Sequence, residues 1–277
     1  MSELNKIALK ILSDGKGILA ADESNGTMAK RLDAVNIQSS PENRLIFRET
    51  LFASDSMKDC IGGVILFDET INQTSNYGKK ISTMISETGA VPGIKVDTGA
   101  KDLANSLDEK ITEGLDGLRE RLKRYYDLGA RFTKWRGVYN IGEKYPSKIA
   151  INSNAHALAR YSALVQESGM VPIVEPEVLM DGEHSAEDCF IKTSEVIKKC
   201  FEELIIHKID LRGVILKPNM ILAGNKSKNK ISNEEVASKT LDCLKKSVPN
   251  EVPGIAFLSG GQTEVEATEN LNLININ

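Results

Sequence analysis

Seven short apolar runs recur along the chain, and each is followed by a polar loop and then by a segment with helical periodicity. The runs are continuously apolar rather than alternating, which is the pattern of a parallel strand covered on both faces. The sequence therefore predicts repeated β-loop-α units around a parallel sheet. The predicted strands are Gly17–Asp22, Ile61–Phe67, Val91–Val96, Arg131–Arg136, Val171–Glu175, Gly213–Lys217 and Gly254–Ser259.

The spacing of these runs is regular in the second half of the chain. Lys134, Glu175, Lys217 and Ser259 follow one another at intervals of 41, 42 and 42 residues. One unit per about 40 residues favours an α/β fold of the (β/α)8 TIM-barrel type, although spacing alone does not exclude a doubly wound sheet. The 277 residues are close to the length of about 250 that is typical of such barrels. No linker or low-complexity tract divides residues 1–277, which predicts a single domain.

Helical segments separate the later strands. Ser185–His207 repeats apolar residues at helical spacing, and Ser185 with Glu187 and Asp188 predicts an N-cap followed by an acidic first turn. Similar patterns predict helices at Asn154–Gly169 and Asn233–Lys246, with Gly169 as a C-cap. After Ser259 the residues suffice for a loop and one helix, Thr263–Leu273, so we expect seven of eight barrel strands.

Composition narrows the classes of partner and compartment. The net charge of −4 argues against nucleic acid or an anionic membrane as the main partner. Met1–Asp14 lacks the apolar core of a secretory signal, and no apolar stretch approaches 18 residues. We therefore expect a cytoplasmic protein without a membrane-spanning segment. The cysteines show no C-x-x-C spacing and are predicted to be buried free thiols: Cys60, Cys189, Cys200 and Cys243.

Polar and ionisable groups follow the predicted strands where each one ends. Each has an ordinary explanation as a solvated terminus, and Asp22 could be the N-cap of a following helix. Barrel enzymes, however, place their catalytic groups at the carboxyl ends of the strands. Residues two apart on a strand also share a face. Together they predict one site, built from Asp22, Lys95, Lys134, Arg136, Glu175, Glu177, Lys217 and Ser259.

A cluster of this kind favours amine chemistry. A lysine near other cations and away from water has a lowered pKa, and its free amine can attack a ketone to form a Schiff base. Lys217 ends a strongly apolar run, and Lys134 or Arg136 could supply the neighbouring charge. Glu175 or Glu177 could act as general acid. A second carboxylate such as Asp22 could take a proton from a substrate hydroxyl.

Two segments have the composition of anion-binding loops. Ser259, Gly260 and Gly261 lie between the last predicted strand and a helix, and Ser24–Thr27 follows the first strand with Arg31 close behind. Motifs for metals and nucleotide cofactors are lacking, so we expect neither. The histidines fall in helices or loops rather than at strand ends, and packing or surface roles are expected for His156, His184 and His207.

Motifs along the whole chain resemble those of class I fructose-1,6-bisphosphate aldolase. The first is GKGILAADES at Gly15–Ser24 and the last is FLSGGQ at Phe257–Gln262. Between them lie CIGGVILFDET, PGIKVD, KWRGV, VPIVEPE and GVILKPNM. In combination they are specific to that family. The resemblance implies a lyase of glycolysis that reversibly cleaves fructose 1,6-bisphosphate into dihydroxyacetone phosphate and glyceraldehyde 3-phosphate, without a metal.

The resemblance also implies a role for each catalytic candidate. Lys217 matches the lysine that forms the Schiff base, and Glu175 matches the proton donor and acceptor of the carbinolamine steps. Glu177 matches a supporting carboxylate, Asp22 the acid group at the C4 hydroxyl, and Lys134 a lysine beside the Schiff base.

The implied substrate contacts lie in three groups. One phosphate or its flanking hydroxyls would be held by Ser24, Thr27, Arg31 and Lys95. Arg44 and Arg136 match basic positions on the substrate side, and Ser259, Gly260 and Gly261 match the loop that holds the other phosphate. Family members are commonly homotetramers. They also continue past this point with an eighth strand, a phosphate-binding arginine and a tail ending in tyrosine, so the chain is expected to be C-terminally truncated.

Three other functions remain open at this point. A truncated barrel could be catalytically impaired and act as a ligand-binding or scaffold protein. Another Schiff-base lyase could act on a different phosphorylated sugar, which two phosphate loops disfavour. A metal-dependent aldolase is the least favoured, because the metal motifs are lacking.

Overall fold

The computed structural model describes residues 1–106 and 108–276. Within them the chain forms eight strands and eleven α-helices, with short 3₁₀ turns at Ser13–Gly15 and Leu211–Gly213. The strands are β1 (Gly17–Ala21), β2 (Ile61–Leu66), β3 (Val91–Lys95), β4 (Gly99–Asp102), β5 (Lys110–Glu113), β6 (Phe132–Tyr139), β7 (Val171–Val178) and β8 (Ile215–Leu216). The helices are α1 (Glu3–Leu12), α2 (Asn25–Asp33), α3 (Pro41–Phe52), α4 (Met57–Cys60), α5 (Asp68–Ile71), α6 (Ile81–Glu87), α7 (Leu118–Asp127), α8 (Lys148–Glu167), α9 (Ala186–Ile206), α10 (Asn233–Ser247) and α11 (Glu264–Ile276).

One sheet carries the strands that the apolar runs predicted. Its order is β1-β2-β3-β6-β7-β8, and the strand pairs with a described register are parallel. The first six predicted strands are thus confirmed, with β7 continuing through Pro176 to Val178. The sequence analysis missed the antiparallel pair β4–β5, which forms a separate two-stranded sheet between β3 and α7 in the chain.

The chain divides into two compact units. The first contains Met1–Val96, Gly117–Lys134 and Leu164–Pro172, and the second contains Asp97–Asp116, Trp135–Ala163 and Ile173–Asn277. β6, β7 and α8 each contribute residues to both units.

The first unit packs α1 and β3 very closely against their neighbours. A Cβ atom at Gly62 of β2 would lie 1.9 Å from the Ile11 carbonyl oxygen, so only glycine lets α1 approach this strand. A Cβ atom at Gly93 of β3 would lie 2.3 Å from the Phe132 ring, which is itself fully buried. The glycines of the apolar runs therefore make room for a helix on one strand and an aromatic ring on another.

The second unit buries a pair of aromatic rings and a side-chain amide that connects two segments. The Trp135 and Tyr161 rings lie 5.4 Å apart, and the Tyr161 hydroxyl donates to the Ile173 carbonyl of β7. Asn154 was predicted to begin a helix, but α8 begins at Lys148. Asn154 instead lies within α8, and its side chain is buried. Its side-chain nitrogen donates to the Lys110 carbonyl, and its side-chain oxygen accepts from the backbone N–H of Thr112 in β5.

The predicted N-cap of α9 is confirmed. The Ser185 hydroxyl accepts from the Asp188 amide while the Asp188 carboxylate accepts from the Ser185 amide, which forms a reciprocal capping box. Gly169 follows α8 with φ of 75°. α10 covers the predicted segment, and α11 runs from Glu264 to Ile276 where Thr263–Leu273 was predicted.

The seventh predicted strand, Gly254–Ser259, is reduced to a single parallel bridge between Leu216 and Ile255. Leu216 donates its amide hydrogen to Gly254, and Ala256 donates to Leu216. The next donor on that side would be residue 218, which is a proline without an N–H. The ladder is interrupted there, although Leu258 still donates to the Pro218 carbonyl at 3.2 Å.

The cysteines are free thiols, but not all are buried. Cys189, Cys200 and Cys243 are buried as predicted, whereas Cys60 is exposed at the end of α4. Burial raises the pKa of Cys200 to about 12. Across the described residues, no helix combines the length and the apolar character needed to cross a bilayer.

Candidate active site

In the first unit, Asp22 and Lys134 form a buried ion pair. A carboxylate oxygen of Asp22 lies 2.8 Å from the Lys134 ammonium, and the two side chains are 12% and 8% exposed. Asp22 directly follows β1, whereas Lys134 lies inside β6, paired in the parallel ladder with Lys95 of β3. The strand order thus brings together three ionisable residues that the sequence predicted at strand ends.

Asp22 is not the N-cap of α2. That position belongs to Ser24, whose hydroxyl accepts from the Thr27 amide at 3.3 Å and lies 3.2 Å from the Thr27 hydroxyl. The exposed Arg31 reaches back from the last turn of the helix to Glu23 at 2.5 Å. The Ser24–Thr27 segment therefore presents two hydroxyls at the exposed N-terminus of a helix, with a cation nearby.

Arg44 forms a fork with Glu69, which lies in α5, the short helix after β2. Its Nε and one terminal nitrogen donate to the two carboxylate oxygens at 2.8 and 2.6 Å, and another terminal nitrogen donates to the Ser39 carbonyl. The hydrogen bond from Arg44 lowers the pKa of Glu69 against the opposing effect of burial. The sequence analysis missed Glu69, although an acidic pair directly after the second apolar run was the signal that could have found it.

Arg48 is a fully buried cation that the sequence analysis also missed. Its guanidinium donates to the Glu23 carbonyl oxygen and the Thr70 hydroxyl and lies 3.6 Å from the Glu23 carboxylate. Burial lowers its pKa despite these partners. Arg48 connects α3 to the segment after β1 that carries Asp22.

In the second unit, Lys217 donates a hydrogen bond to Glu175. The two side chains are 12% and 4% exposed. Lys217 directly follows the two-residue strand β8, and its backbone N–H donates to the Val174 carbonyl at 2.8 Å. The hydrogen-bond partner of Lys217 is therefore the carboxylate that was predicted as a general acid.

Glu177 pairs with the other predicted cation of this unit. Arg136 of β6 donates from its Nε to the Glu177 carboxylate, which is buried. Burial opposes the charge on Arg136, but the hydrogen bond with Glu177 and the charges of Glu177, Glu175 and Asp97 raise its pKa overall. The backbone N–H of Arg136 also donates to the Asp97 carboxylate at 3.4 Å.

Asn219 supports the segment that carries Lys217. Its buried side-chain oxygen accepts from the Val178 amide at the end of β7, and its nitrogen donates to the Thr193 hydroxyl of α9 at 3.1 Å. Asn219 belongs to the GVILKPNM motif, which by itself predicts no role for this residue. An amide two residues after Lys217 fixes the distance between the β8 end and β7.

The predicted glycine loop forms a turn with left-handed backbone. Gly260 and Gly261 have backbone φ angles of 59° and 80°, which residues with a Cβ atom rarely adopt. Ser259 is exposed, and its carbonyl accepts from the backbone and side chain of Gln262. The turn leads directly into α11.

Comparisons with known proteins show the family of the chain. The family model described as "Fructose-bisphosphate aldolase class-I" matches residues 3–277. The chain belongs to the class I fructose-bisphosphate aldolases. Among relatives, a probable fructose-bisphosphate aldolase class 1 of Xanthomonas campestris pv. campestris is 49% identical over 272 residues, which is 98% of this chain and 81% of the relative. Fructose-bisphosphate aldolase C of Carassius auratus is 49% identical over 274 residues, covering 99% of this chain and 76% of the relative.

A solved aldolase confirms the fold. Fructose-bisphosphate aldolase from Plasmodium falciparum, whose structure is described as a complex with TRAP and a small-molecule inhibitor, superposes with a TM-score of 0.97 at 43% identity. The match covers 99% of this chain and 79% of the other. The fold class is thus the (β/α)8-type barrel of the family, and the enzyme class is that of the aldolase lyases.

The histidines of this aldolase lie where the sequence predicted. His156 is inside α8, His207 directly follows α9, and His184 lies in the segment before α9. Burial lowers the pKa of His184. Two of the three nevertheless meet: the rings of His156 and His207 are 5.0 Å apart, in an edge-to-face arrangement.

Proposed function

We propose that the chain cleaves fructose 1,6-bisphosphate reversibly through a Schiff base on Lys217, without a metal. The observation that carries the proposal is the buried hydrogen bond between Lys217 and Glu175. One proton passed from the ammonium to the carboxylate turns Lys217 into a free amine and Glu175 into a carboxylic acid. A single transfer thus prepares both the nucleophile and the general acid.

The first chemical steps use this pair. The Lys217 amine attacks the C2 ketone of the sugar, and the resulting carbinolamine loses water after its hydroxyl is protonated by Glu175. The product is an iminium ion between the lysine nitrogen and C2. General acid catalysis of such a step typically contributes 10²- to 10⁴-fold. Glu177, which accepts a hydrogen bond from Arg136, is proposed to be the supporting carboxylate near Glu175 on β7.

The carbon–carbon bond then breaks by a balanced transfer of electrons. A carboxylate, which we propose to be Asp22, takes the proton of the C4 hydroxyl. The C3–C4 electrons flow into the iminium to form an enamine, and glyceraldehyde 3-phosphate leaves. Protonation at C3 and hydrolysis of the imine release dihydroxyacetone phosphate. Lys134, which is paired with Asp22, is proposed to keep that carboxylate ionised.

Substrate binding is proposed to follow the resemblance. One phosphate, or the hydroxyls next to it, would be held by Ser24, Thr27, Arg31 and Lys95, with Arg44 and Arg136 as further basic groups. The other phosphate would be held by Ser259, Gly260 and Gly261. The exposed hydroxyls at the start of α2 and the left-handed glycines before α11 support these assignments.

Borohydride trapping tests the proposal directly. The protein is mixed with dihydroxyacetone phosphate and reduced, and the peptide containing Lys217 is examined by mass spectrometry. We expect a stable secondary amine on Lys217 and cleavage activity that survives EDTA. Well-folded protein that yields no adduct would support the scaffold hypothesis instead. An adduct on a different lysine would identify that lysine, and not Lys217, as the nucleophile.

A substrate panel separates this aldolase from another Schiff-base lyase. We expect a higher kcat/KM for fructose 1,6-bisphosphate than for fructose 1-phosphate, because both phosphate loops are present. Equal values would assign only one phosphate loop to the substrate.

Assembly and location are further proposals. We propose a cytoplasmic homo-oligomer, a tetramer by family resemblance. A cytosolic aldolase of Arabidopsis thaliana is 48% identical over 273 residues, and exposed Ile205 and Ile206 at the end of α9 offer apolar surface. Light scattering of the purified protein measures the assembly, and a monomeric mass would contradict it.

A further inference from the structure

A second cluster of chemistry lies on the two helices that flank β7 in the chain, α8 and α9. The possible ligand atoms of His156, Glu203 and His207 all lie within 4.8 Å of one another. None of these residues takes part in the reaction proposed above. We propose a binding site for one divalent transition-metal ion, such as Zn²⁺, that joins α8 to α9. Its ligands are His156, Glu203 and His207.

The helix provides two of the ligands in the required spacing. Glu203 lies in the last turn of α9 and His207, four residues later, is its C-cap, so the two side chains lie on the same side of the helix end. His156 approaches from α8, with its Nδ1 3.4 Å from a Glu203 carboxylate oxygen. Tetrahedral zinc with bonds of about 2.0–2.2 Å separates its ligands by about 3.3 Å, so this pair already has the separation that the ion requires.

The tautomer of His207 is set by its own helix. Its Nδ1 lies 2.8 Å from the Glu203 carbonyl oxygen, to which only a protonated Nδ1 can donate. In the neutral ring, the lone pair is therefore on Nε2. Ligating histidines commonly donate their other ring N–H to a backbone carbonyl, which orients the ring and raises its basicity.

The two oxygens of Glu203 have different partners. One accepts from Lys199 at 3.0 Å, and the other lies 3.4 Å from Nδ1 of His156 and 3.9 Å from Nδ1 of His207. One carboxylate oxygen is thus occupied by Lys199, and the other is directed toward the two imidazoles.

Exposure decides the kind of site. The side chain of Glu203 is 14% exposed, that of His207 22% and that of His156 52%. Water can therefore complete the coordination shell, and the exposed His156 ring can rotate to shorten the wider ligand distances. Two imidazoles and one carboxylate suit zinc and its neighbours better than Mg²⁺ or Ca²⁺, which prefer oxygen ligands.

Zinc binding to the full chain tests the proposal. Cys60 is exposed and a thiolate can also bind zinc, so the measurements use a Cys60→Ser background. Competition with a chromophoric chelator at pH 7.5 measures stoichiometry and affinity. We expect one tight equivalent, weakened at least 10-fold by His156→Ala, His207→Ala or Glu203→Gln. His184→Ala, which removes the histidine outside the cluster, is the matched control and should leave affinity unchanged.

Two further measurements separate a metal site from an ordinary ion-pair cluster. Lys199→Met removes the competitor for Glu203 and should strengthen zinc binding several-fold. At a free zinc concentration about a hundred times Kd, the melting temperature should rise by about 5 °C, and His156→Ala should abolish that rise. Binding that does not depend on His156 and His207, or that His184→Ala abolishes, would overturn the proposal. Cleavage activity should not depend on zinc, so this outcome is independent of the Schiff-base test.

Discussion

The two units each bury one lysine–carboxylate pair, and the pairs are built in opposite ways. In the first unit, Lys134 lies inside a long strand and Asp22 directly follows a strand. In the second unit, Glu175 lies inside a long strand and Lys217 directly follows a strand of two residues. In the first unit the lysine of the pair lies within a hydrogen-bonded strand, whereas in the second unit the carboxylate does.

This difference indicates which group is placed to react. A lysine inside a paired strand has its backbone held on both sides, which favours a fixed position for its charge. A side chain that follows a strand is free to change its bonding while its backbone stays anchored. Lys217 keeps one backbone hydrogen bond to β7, and Asn219 holds the segment that follows. We therefore expect Lys217 to form the covalent bond with the substrate and Lys134 to act through its positive charge.

The largest expected effect comes from removing each lysine in turn. Lys217→Met should abolish borohydride trapping of dihydroxyacetone phosphate completely, because no amine remains to form the imine. Lys134→Met should still be trapped at Lys217, with slower cleavage. Mass spectrometry of the reduced protein measures both. Trapping that persists in Lys217→Met, or is lost in Lys134→Met while that protein stays folded, would reverse the comparison.

Removing each carboxylate charge sharpens the comparison. Glu175→Gln should slow imine formation by roughly 10²-fold, because the amide cannot donate the carbinolamine proton. Asp22→Asn should slow cleavage of fructose 1,6-bisphosphate by a similar factor while leaving imine formation with dihydroxyacetone phosphate nearly unchanged. Rapid-quench trapping separates the two steps. An unchanged imine rate in Glu175→Gln would move the general-acid role to Glu177.

A smaller effect concerns stability of the first unit. The pKa of Glu69 is lowered in the folded state, so its pairing with Arg44 stabilises above the unfolded pKa of about 4.5 and is lost as pH falls through the lower folded value. Glu69→Gln should lower stability at pH 7 by about 2 kcal/mol, the scale of a hydrogen bond between charged groups. Urea denaturation from pH 7 to pH 3 measures this. The variant should differ less from the parent as pH falls, and a constant difference would assign the effect to packing.

The smallest effect on stability is expected at Arg31. Its side chain is 57% exposed, and exposed ion pairs contribute about 0–1 kcal/mol. Arg31→Ala should therefore leave the urea midpoint nearly unchanged. If Arg31 holds a phosphate as proposed, KM for fructose 1,6-bisphosphate should rise while trapping at Lys217 persists. An unchanged KM would remove Arg31 from the substrate site.

Much of the fold could be predicted because its signals are local. A strand covered on both faces is continuously apolar wherever it lies, so six strands were found from short runs alone. The capping box at Ser185 uses residues three positions apart. The positions of Asp22 and Lys217 directly after a strand also followed from local order, whereas Lys134 and Glu175 lie inside β6 and β7 because those strands continue past the predicted ends.

Partners, in contrast, were decided by tertiary structure. Lys217 and Glu175 are 42 positions apart, and only the register of β8 on β7 brings them into contact. No local signal identifies such a distant partner. The buried Arg48 was missed for the same reason, because its partners lie on other segments.

The seventh strand shows the same division in one place. Gly254–Ser259 has the local pattern of a strand, and its amides do bond to the segment beside it. Whether it forms a ladder depends on its neighbour, where Pro218 has no N–H to donate. Apolar order along the chain thus determined which segments become strands and which residues follow them. Hydrogen bonding and charge pairing between distant segments determined what those residues do, because such pairs exist only after folding.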